Sequence, residues 1–175
     1  MSFRTLPIAL AITASLATNA AHAATTGTLN FRGQVNAGTC NLAAGDVNRT
    51  ITLPTVKISD FDSVNFTGAH NFEISADCES DIRNVVFLFA GTVSAGNGLL
   101  FANTGTSAGT ALWLAHRAAP HTTIPANGTP AQRSRTIPTS GNKAVLPLQV
   151  AYHKTGVPIT QGTLVSAVTV SITYN

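Results

Sequence analysis

The sequence predicts an antiparallel β-sandwich. Several short runs alternate between apolar and polar side chains, which is the period of a strand with one buried face. Gly, Pro, Asn and Ser bound these runs, and no segment has a helical period with caps. Much of the apolar content is Ala and Val with Thr and Ser between, a mixture that suits strands. Many short strands at turn-bounded spacing favour a sandwich.

The first residues are typical of an export signal. Arg4 precedes an apolar stretch from Leu6 to about Ala20, and Ala21-His22-Ala23 fits the small-x-small pattern before a cleavage site. We therefore expect residues 1–23 to be a signal peptide and the mature chain to be exported. No later run approaches the roughly 20 apolar residues that a bilayer requires, so no stable membrane insertion is expected.

Export favours a disulfide between the two cysteines, because an oxidising compartment allows an even pair to form one. We therefore predict a bond between Cys40 and Cys78, which would stabilise the fold by about 2–4 kcal/mol. A metal site has weak support, since no second Cys or His lies at ligand spacing from either cysteine.

The mature chain begins with a clear alternation between residues 25 and 36. Polar side chains occupy the even positions, and the odd positions form the other face. The residues of that second face are Thr25, Gly27, Leu29, Phe31, Gly33 and Val35.

Three further strands are predicted in the first half. Arg49–Leu53 is a short run ended by Pro54, and Asn71–Cys78 alternates between core and solvent positions. Asn84–Ala90 is continuously apolar, which is typical of a central strand covered on both faces.

The second half shows shorter strands and longer loops. Strands are expected at Leu99–Ala102 and Ala111–His116, separated by the Gly/Ser/Thr-rich loop Asn103–Gly109. Residues 118–142 contain four prolines and are expected to be loop-rich and extended. Val145–Lys154 alternates, but Pro147 lacks a ladder donor and predicts an edge strand or a bulge.

The last predicted strand is Gly162–Asn175. Its even positions form one side: Gly162, Leu164, Ser166, Val168, Val170, Ile172 and Tyr174.

Charge and composition argue against several functions. Only 10% of the residues are charged, and no Lys/Arg cluster is present of the kind that binds a row of phosphates, so nucleic acid is not an expected partner. All seven Asp and Glu residues lie between Asp46 and Asp81. The later half therefore has no carboxylate side chain for acid/base catalysis.

Two sequence patterns bear on catalysis, and neither supports it. Gly105-Thr106-Ser107-Ala108-Gly109 matches the G-x-S-x-G pattern, but its flanks are a glycine loop and no acidic residue follows it. The mature histidines are scattered, whereas a copper-zinc dismutase needs a tight cluster. They are His70, His116, His121 and His153. We expect no catalytic residue, no metal and no cofactor.

The two ends of the mature chain carry a family resemblance. An alternating segment, Gly27-Thr28-Leu29-Asn30-Phe31-Arg32-Gly33-Gln34-Val35, runs into Cys40, and Cys78 follows Phe72-Glu73-Ile74. A glycine, Gly162, stands fourteenth from the C-terminus and a tyrosine, Tyr174, is penultimate. With these features the chain resembles chaperone-usher pilus subunits of the type 1 fimbrial family. The terminal Asn175 departs from the Gln or acidic residue that is more usual there.

The resemblance implies an immunoglobulin-like sandwich that lacks its last strand, formed by residues 37–175 as a single pilin domain. It also implies that residues 24–36 are a donor-strand extension, and that Gly162–Tyr174 contributes a wall of the groove that receives a donor strand. The implied partners are neighbouring subunits, a periplasmic chaperone and an outer-membrane usher. The implied location is a fimbria on the cell surface.

The expected function is that of a non-enzymatic structural subunit that supports cell adhesion. One alternative is a self-contained exported sandwich that binds a carbohydrate or a protein. Such a domain would pair residues 26–35 within its own sheet, and alternation alone does not distinguish the two. An enzyme of the dismutase kind is a third and weaker alternative.

Overall fold

The computed structural model describes residues 26–175. The predicted signal peptide, residues 1–23, and Thr25 lie outside the described residues. The chain divides into two units at the boundary between Val35 and Asn36. Among the described residues of the first unit, 26–35, no regular secondary structure is formed. Within residues 26–175, no helix has the length and apolar character needed to cross a bilayer.

Residues 36–175 form ten antiparallel strands and one helical turn. In chain order the elements are β1 Cys40–Leu42, β2 Phe66–Cys78, β3 Asn84–Gly91, β4 Val93–Ser94, β5 Asn97–Phe101, β6 Thr110–His116, β7 Thr122–Thr123, α1 Pro130–Arg133, β8 Ser134–Pro138, β9 Lys143–Lys154 and β10 Val168–Tyr174. Two 3-10 turns, Ala44–Asp46 and Ile58–Phe61, lie between β1 and β2.

The strands form two sheets. The larger sheet has seven strands in the order β1-β2-β9-β6-β5-β4, with β7 paired to β6. The smaller sheet has three strands in the order β10-β3-β8. Side chains from both sheets form one apolar core, and Phe87, Phe101 and Leu146 are fully buried in it. The fold is all-β with antiparallel sheets, as predicted.

A disulfide joins the ends of β1 and β2, as predicted. Cys40 and Cys78 are bonded, and they are also cross-strand partners in the register of the two strands. The backbone N–H of Glu79 donates to the Thr39 carbonyl at 2.9 Å and continues this pairing. The Asp81 carboxylate accepts from the Gly38 N–H at 2.8 Å, so the two residues that precede Cys40 are held by the segment that follows Cys78.

The predicted strand at Arg49–Leu53 is wrong. Ile51 and Leu53 do pack against the core, but the segment has no ladder partner among the described residues. The edge of β2 that it would pair with is occupied by side chains. Asp46 Oδ2 accepts from the Ser75 N–H at 2.8 Å, and Arg49 Nη1 donates to the Glu73 carbonyl at 2.7 Å.

Two predictions about individual strands also need correction. β3 is the middle strand of the smaller sheet, but it is not covered on both faces, since Val86 and Leu88 are only half-buried while Val85, Phe87 and Phe89 are buried. Its outer face is apolar without being packed under a further layer.

β9 lies inside the larger sheet, between β2 and β6, although Pro147 predicted an edge or a bulge. Pro147 lies opposite Arg117, one residue beyond the end of β6. The Arg117 N–H donates to the Pro147 carbonyl at 3.0 Å. Because proline has no N–H, only the reciprocal bond from residue 147 to the Arg117 carbonyl is lost.

The stretch 118–142 has more regular structure than expected. It contains β7, α1 and the strand β8, which pairs with β3 from Asn84↔Pro138 to Leu88↔Ser134. A capping box at Thr129, with Gln132 three residues on and Pro130 at the first helical position, forms the turn of α1. The final strand is shorter than predicted, because only Val168–Tyr174 of Gly162–Asn175 is in the ladder.

Candidate functional site: the open edge of β10

The C-terminal strand β10 is paired on one side only. Its register with β3 is continuous from Val168↔Gly91 to Tyr174↔Val85. On its other side, no strand within residues 26–175 pairs with it. Its outward backbone N–H and C=O groups therefore form an unpaired edge, which is a template for a further strand.

The side chains of this edge strand face the core without being fully covered. Val170 and Ile172 lie opposite Phe89 and Phe87, and cross-strand partners point to the same face of a sheet. Phe87 is 0% exposed and Phe89 is 3% exposed. Val168, Val170 and Ile172 pack against the same core but are only half-buried. The core is thus complete at β3 and incomplete at β10.

The opposite side of this opening is the strand β1. It is also an edge strand, since within residues 26–175 it pairs with β2 alone, and it approaches β10. Leu42 on β1 is half-buried against the same core. We use the name open edge for the unpaired side of β10 together with the half-buried side chains of Leu42, Val168, Val170 and Ile172.

The segment that leads into β10 is fixed by the loop 103–109. Asn103 is the centre of this contact: its Oδ1 accepts from the Gly105 and Val165 N–H groups at 2.7 and 2.8 Å, and its Nδ2 donates to the Ser107 carbonyl at 2.8 Å. The Thr104 N–H donates to the Val165 carbonyl at 2.8 Å. β10 therefore starts from a defined position even though residues 162–167 are outside the ladder.

Gly162 lies at the closest approach of these two segments. A Cβ at this position would lie 2.6 Å from the Thr106 carbonyl carbon and closer still to the Ser107 nitrogen. Glycine is required here by the close packing of two backbones. Leu164 and Ser166, which follow it, are half-buried.

The far end of β10 is tied to the start of β3. The Arg83 N–H donates to the Asn175 carbonyl at 2.8 Å, and the Asn175 N–H donates to the Asn84 carbonyl at 3.2 Å. Tyr174 lies opposite Val85 but is 39% exposed, whereas Val85 is fully buried. The incomplete cover of the core therefore extends along the whole strand.

Residues 26–35, the described part of the predicted donor segment, expose their apolar side chains. Leu29 is 82%, Phe31 88% and Val35 97% exposed. A Cβ at Gly27 or at Gly33 would meet nothing within 4 Å. This segment carries apolar surface that the chain itself leaves in solvent.

Sequence reasoning found the edge strand but missed Asn103. The sequence does contain a signal for the turn at Asn103, because Asn followed two residues later by Gly is the pattern of an Asx turn. In such a turn the Asn side chain accepts from the backbone N–H two residues on. Asn103 Nδ2 donates to the Thr163 carbonyl, and the Thr163 N–H donates to Thr106 Oγ1. These bonds join residues about sixty positions apart, so no local sequence pattern predicts them.

The residues considered for catalysis have other partners. Ser107 Oγ donates to the Thr160 carbonyl at 2.9 Å and accepts from Thr110 Oγ1 at 3.1 Å, so it supports the loop. In the part of the chain that the structure describes, no group of three or more His, Cys, Asp or Glu side chains could hold a metal.

The antiparallel two-sheet sandwich is the immunoglobulin-like fold of solved pilus subunits. The chain belongs to the fimbrial protein family, whose sequence model matches residues 29–175. As a member of this family, it is a fimbrial protein, a structural subunit of a surface pilus.

Solved structures show the same fold. The P pilus rod subunit PapA superposes with a TM-score of 0.62 at 16% identity, over 78% of this chain and 99% of that one. A chain from a chaperone-usher pilus structure concerned with rod uncoiling superposes with a TM-score of 0.61 at 15% identity. The match covers 86% of this chain and 96% of that one. The CupB6 tip adhesin from Pseudomonas aeruginosa gives 0.59 at 21% identity, over 70% of this chain. The match spans about a third (35%) of that adhesin. No curated protein sequence matches this chain significantly.

Proposed function

We propose that this subunit joins its neighbours by strand donation at the open edge. The incoming strand is the segment 25–35 of another subunit, and the receiving strand is the C-terminal stretch Gly162–Tyr174. The observation that carries the proposal is the half-burial of Val168, Val170 and Ile172 on β10, whose outer edge has no partner strand within residues 26–175. The core-facing side chains of the adjacent strand β3 are buried.

The donor segment has the side chains that such an edge requires. The proposed donor face consists of Thr25, Gly27, Leu29, Phe31, Gly33 and Val35. Moving Leu29, Phe31 and Val35 from solvent into an apolar groove would contribute roughly 5–9 kcal/mol at typical values per side chain. Because a whole domain is stable by only about 5–15 kcal/mol, a strand of this kind would decide whether the subunit stays folded.

The same open edge explains why the subunit would need help before assembly. An unpaired apolar edge strand aggregates unless it is covered. We infer that a strand of a periplasmic chaperone covers it first, and that an outer-membrane usher exchanges that strand for the donor segment of the next subunit. Residues 1–23 would direct export to the periplasm, residues 24–36 would be the donor extension, and residues 37–175 would be the pilin domain that forms the adhesive fibre.

Thermal unfolding tests strand donation directly. A chain that starts at Asn36 is unfolded with and without a synthetic peptide covering residues 24–36, at fixed protein concentration. A peptide that binds only the folded state raises the midpoint by mass action. We expect a large rise, because the peptide supplies both ladder bonds and apolar side chains.

The matched control is the same peptide with Phe31→Asp, which keeps the length and most of the backbone pairing but places a charge on the buried face. It should give little stabilisation. A truncated chain that unfolds cooperatively at high temperature and ignores both peptides would overturn the proposal, and the chain would then be a self-contained binding module.

A further inference from the structure

A cleft lies on the outer face of the larger sheet. Leu112, Leu114 and Val150 point into the core, so the alternating residues Trp113 on β6 and His153 on β9 point to the other face. Phe66, at the start of β2, is the cross-strand partner of His153 and lies on the same face. These side chains border a cleft of about 470 Å³, within the size range of small-molecule sites.

The wall of the cleft is aromatic. The rings of Phe66 and Trp113 stack with their centroids 5.3 Å apart and an interplanar angle of 26°. Trp113 Nε1 donates to Thr123 Oγ1 at 3.0 Å, which fixes the indole plane. Phe66 is 46% exposed and the adjacent Leu99 is 53% exposed. Phe66 is thus an exposed ring that stacks on an indole whose plane is fixed by a hydrogen bond.

Polar groups around these rings are available to a ligand. Asn97 Oδ1 accepts from the Leu99 N–H at 3.0 Å, while no hydrogen bond in residues 26–175 uses its Nδ2 or the Asn65 amide. His153 Nδ1 contacts the Lys154 carbonyl at 2.7 Å. Because a carbonyl oxygen can only accept, Nδ1 carries a proton, and Nε2 is the acceptor of the neutral ring.

The cleft has no Asp, Glu, Lys or Arg among its lining residues. A charged ligand would therefore lose its hydration without gaining a countercharge. A purely apolar side chain of another protein would leave the Asn97 and Asn65 amides without partners on burial, which is costly. The lining fits a neutral molecule that has one apolar face and a rim of hydroxyl groups.

We propose that this cleft is a binding site for a neutral sugar ring. The C–H face of a pyranose lies on the exposed ring of Phe66, which Trp113 supports from its stacked side, and its hydroxyls bond the amides of Asn65 and Asn97 and Nε2 of His153. One open site of this kind binds weakly, with a dissociation constant on the order of 1–10 mM. Repetition along a polymer multiplies the avidity without any new contact.

Trp113 is the single tryptophan of the chain, so its fluorescence reports on this cleft alone. The full mature chain, in the assembled state in which it is purified, is titrated separately with methyl α-mannopyranoside, methyl β-galactopyranoside and N-acetylglucosamine. Glucuronic acid serves as the charged sugar. We expect a saturable change in emission with at least one neutral sugar and none with glucuronic acid.

Two variants and one control locate the site. Phe66→Ala should weaken sugar binding about tenfold or more through loss of stacking, and Asn97→Ala should weaken it through loss of a donor. Val145→Ala removes a side chain that is 40% exposed, against 46% for Phe66, and lies on the same strand as His153 about 27 Å away, so it should leave sugar binding unchanged. Circular dichroism checks that each variant is folded.

Two results would overturn the proposal. One is the absence of any saturable change with all three neutral sugars. The other is a change in Trp113 emission that follows assembly and disassembly of the polymer and is unaffected by sugar, because the cleft would then be a contact between subunits.

Discussion

At the scale of single residues, Gly162 shows how a side chain can be excluded by packing alone. The backbones of segments 105–107 and 162–163 touch, so a methyl group at Gly162 would overlap the Thr106 carbonyl carbon and the Ser107 nitrogen. Both neighbours are backbone atoms and cannot rotate away. The loop that positions β10 therefore depends on this glycine.

Gly162→Ala should lower the free energy of unfolding by about 1–3 kcal/mol, the usual cost of overpacking. Gly45→Ala is the matched control, because a Cβ there would meet nothing within 4 Å. Denaturant unfolding of both variants measures the effect. Equal stability of the two variants would show that the 103–109 loop yields easily and does not position β10.

His116, at the end of β6, links stability to pH. Burial lowers the pKa of this imidazole below its ordinary value of 6.5, and the neighbouring Arg135 and His121 lower it further. Between that lowered pKa and 6.5 the unfolded chain binds more protons than the folded chain. The free energy of unfolding therefore falls as the pH drops below 6.5 and is recovered above it.

His116→Gln should flatten this dependence, so that the melting temperature changes less than that of the original chain between about pH 5 and pH 7. His121→Gln removes only the smallest of the three causes and should keep most of the dependence. Thermal scans across the pH series measure both. Parallel curves for the original chain and His116→Gln would contradict the assignment.

At the scale of elements, the edge of β2 shows side chains replacing a strand. The Asp46 carboxylate accepts from the Ser75 N–H at 2.8 Å and from Arg49 Nη1 at 3.1 Å, and the Asp46 side chain is only 8% exposed. Arg49 continues the substitution by donating to the Glu73 carbonyl. Two side chains thus satisfy backbone groups that a neighbouring strand would otherwise satisfy.

Asp46→Ala should destabilise the domain by about 1–3 kcal/mol, because it leaves a part-buried N–H without a partner. Asp62→Ala is the control, since that carboxylate is exposed and makes no hydrogen bond within residues 26–175. Chemical unfolding compares the two. The interpretation fails if both substitutions cost the same.

The elements that sequence predicted well are those whose partners cover one face. Asn71–Cys78 and Val145–Lys154 alternate because one side of each strand packs on the core, and both lie in the ladder. Arg49–Leu53 has the same local pattern, yet it does not pair with β2. The side chains of Asp46 and Arg49 occupy the backbone groups of β2 that a paired strand would use. The strand β8 could not be predicted from its proline-rich surroundings, because it forms by pairing with the distant strand β3 and not through its own composition.

At the scale of the whole molecule, the fold and the disulfide could be predicted from export, alternation and cysteine count. The residue pattern predicted the open edge only as far as the alternation of the last strand, and the expectation of a groove beside that strand came from the family resemblance. The open edge is defined by the absence of a second partner strand beside β10 among the described residues. A local sequence pattern cannot predict which strands remain without a partner.

Phe31→Asp in the full chain should abolish polymerisation, because the proposed donor face would place a carboxylate in an apolar groove. Phe31 is 88% exposed, so the substitution should not unfold the subunit that carries it. Electron microscopy shows whether fibres form, and co-purification with a chaperone shows whether the subunit is intact. Arg32→Asp, on the opposite face of the segment, is the control. Normal fibres from Phe31→Asp would disprove the donor assignment.

The Cys40–Cys78 bond has a mechanical consequence. Tension applied to the N-terminal segment that breaks the hydrogen bonds of Gly38 and Thr39 reaches β1 at Cys40, the first residue of a strand only three residues long. The covalent bond passes that load to the end of β2, a thirteen-residue strand between β1 and β9. While this bond holds, β1 cannot separate from β2 at Cys40, so complete detachment of the short strand requires the covalent bond to break.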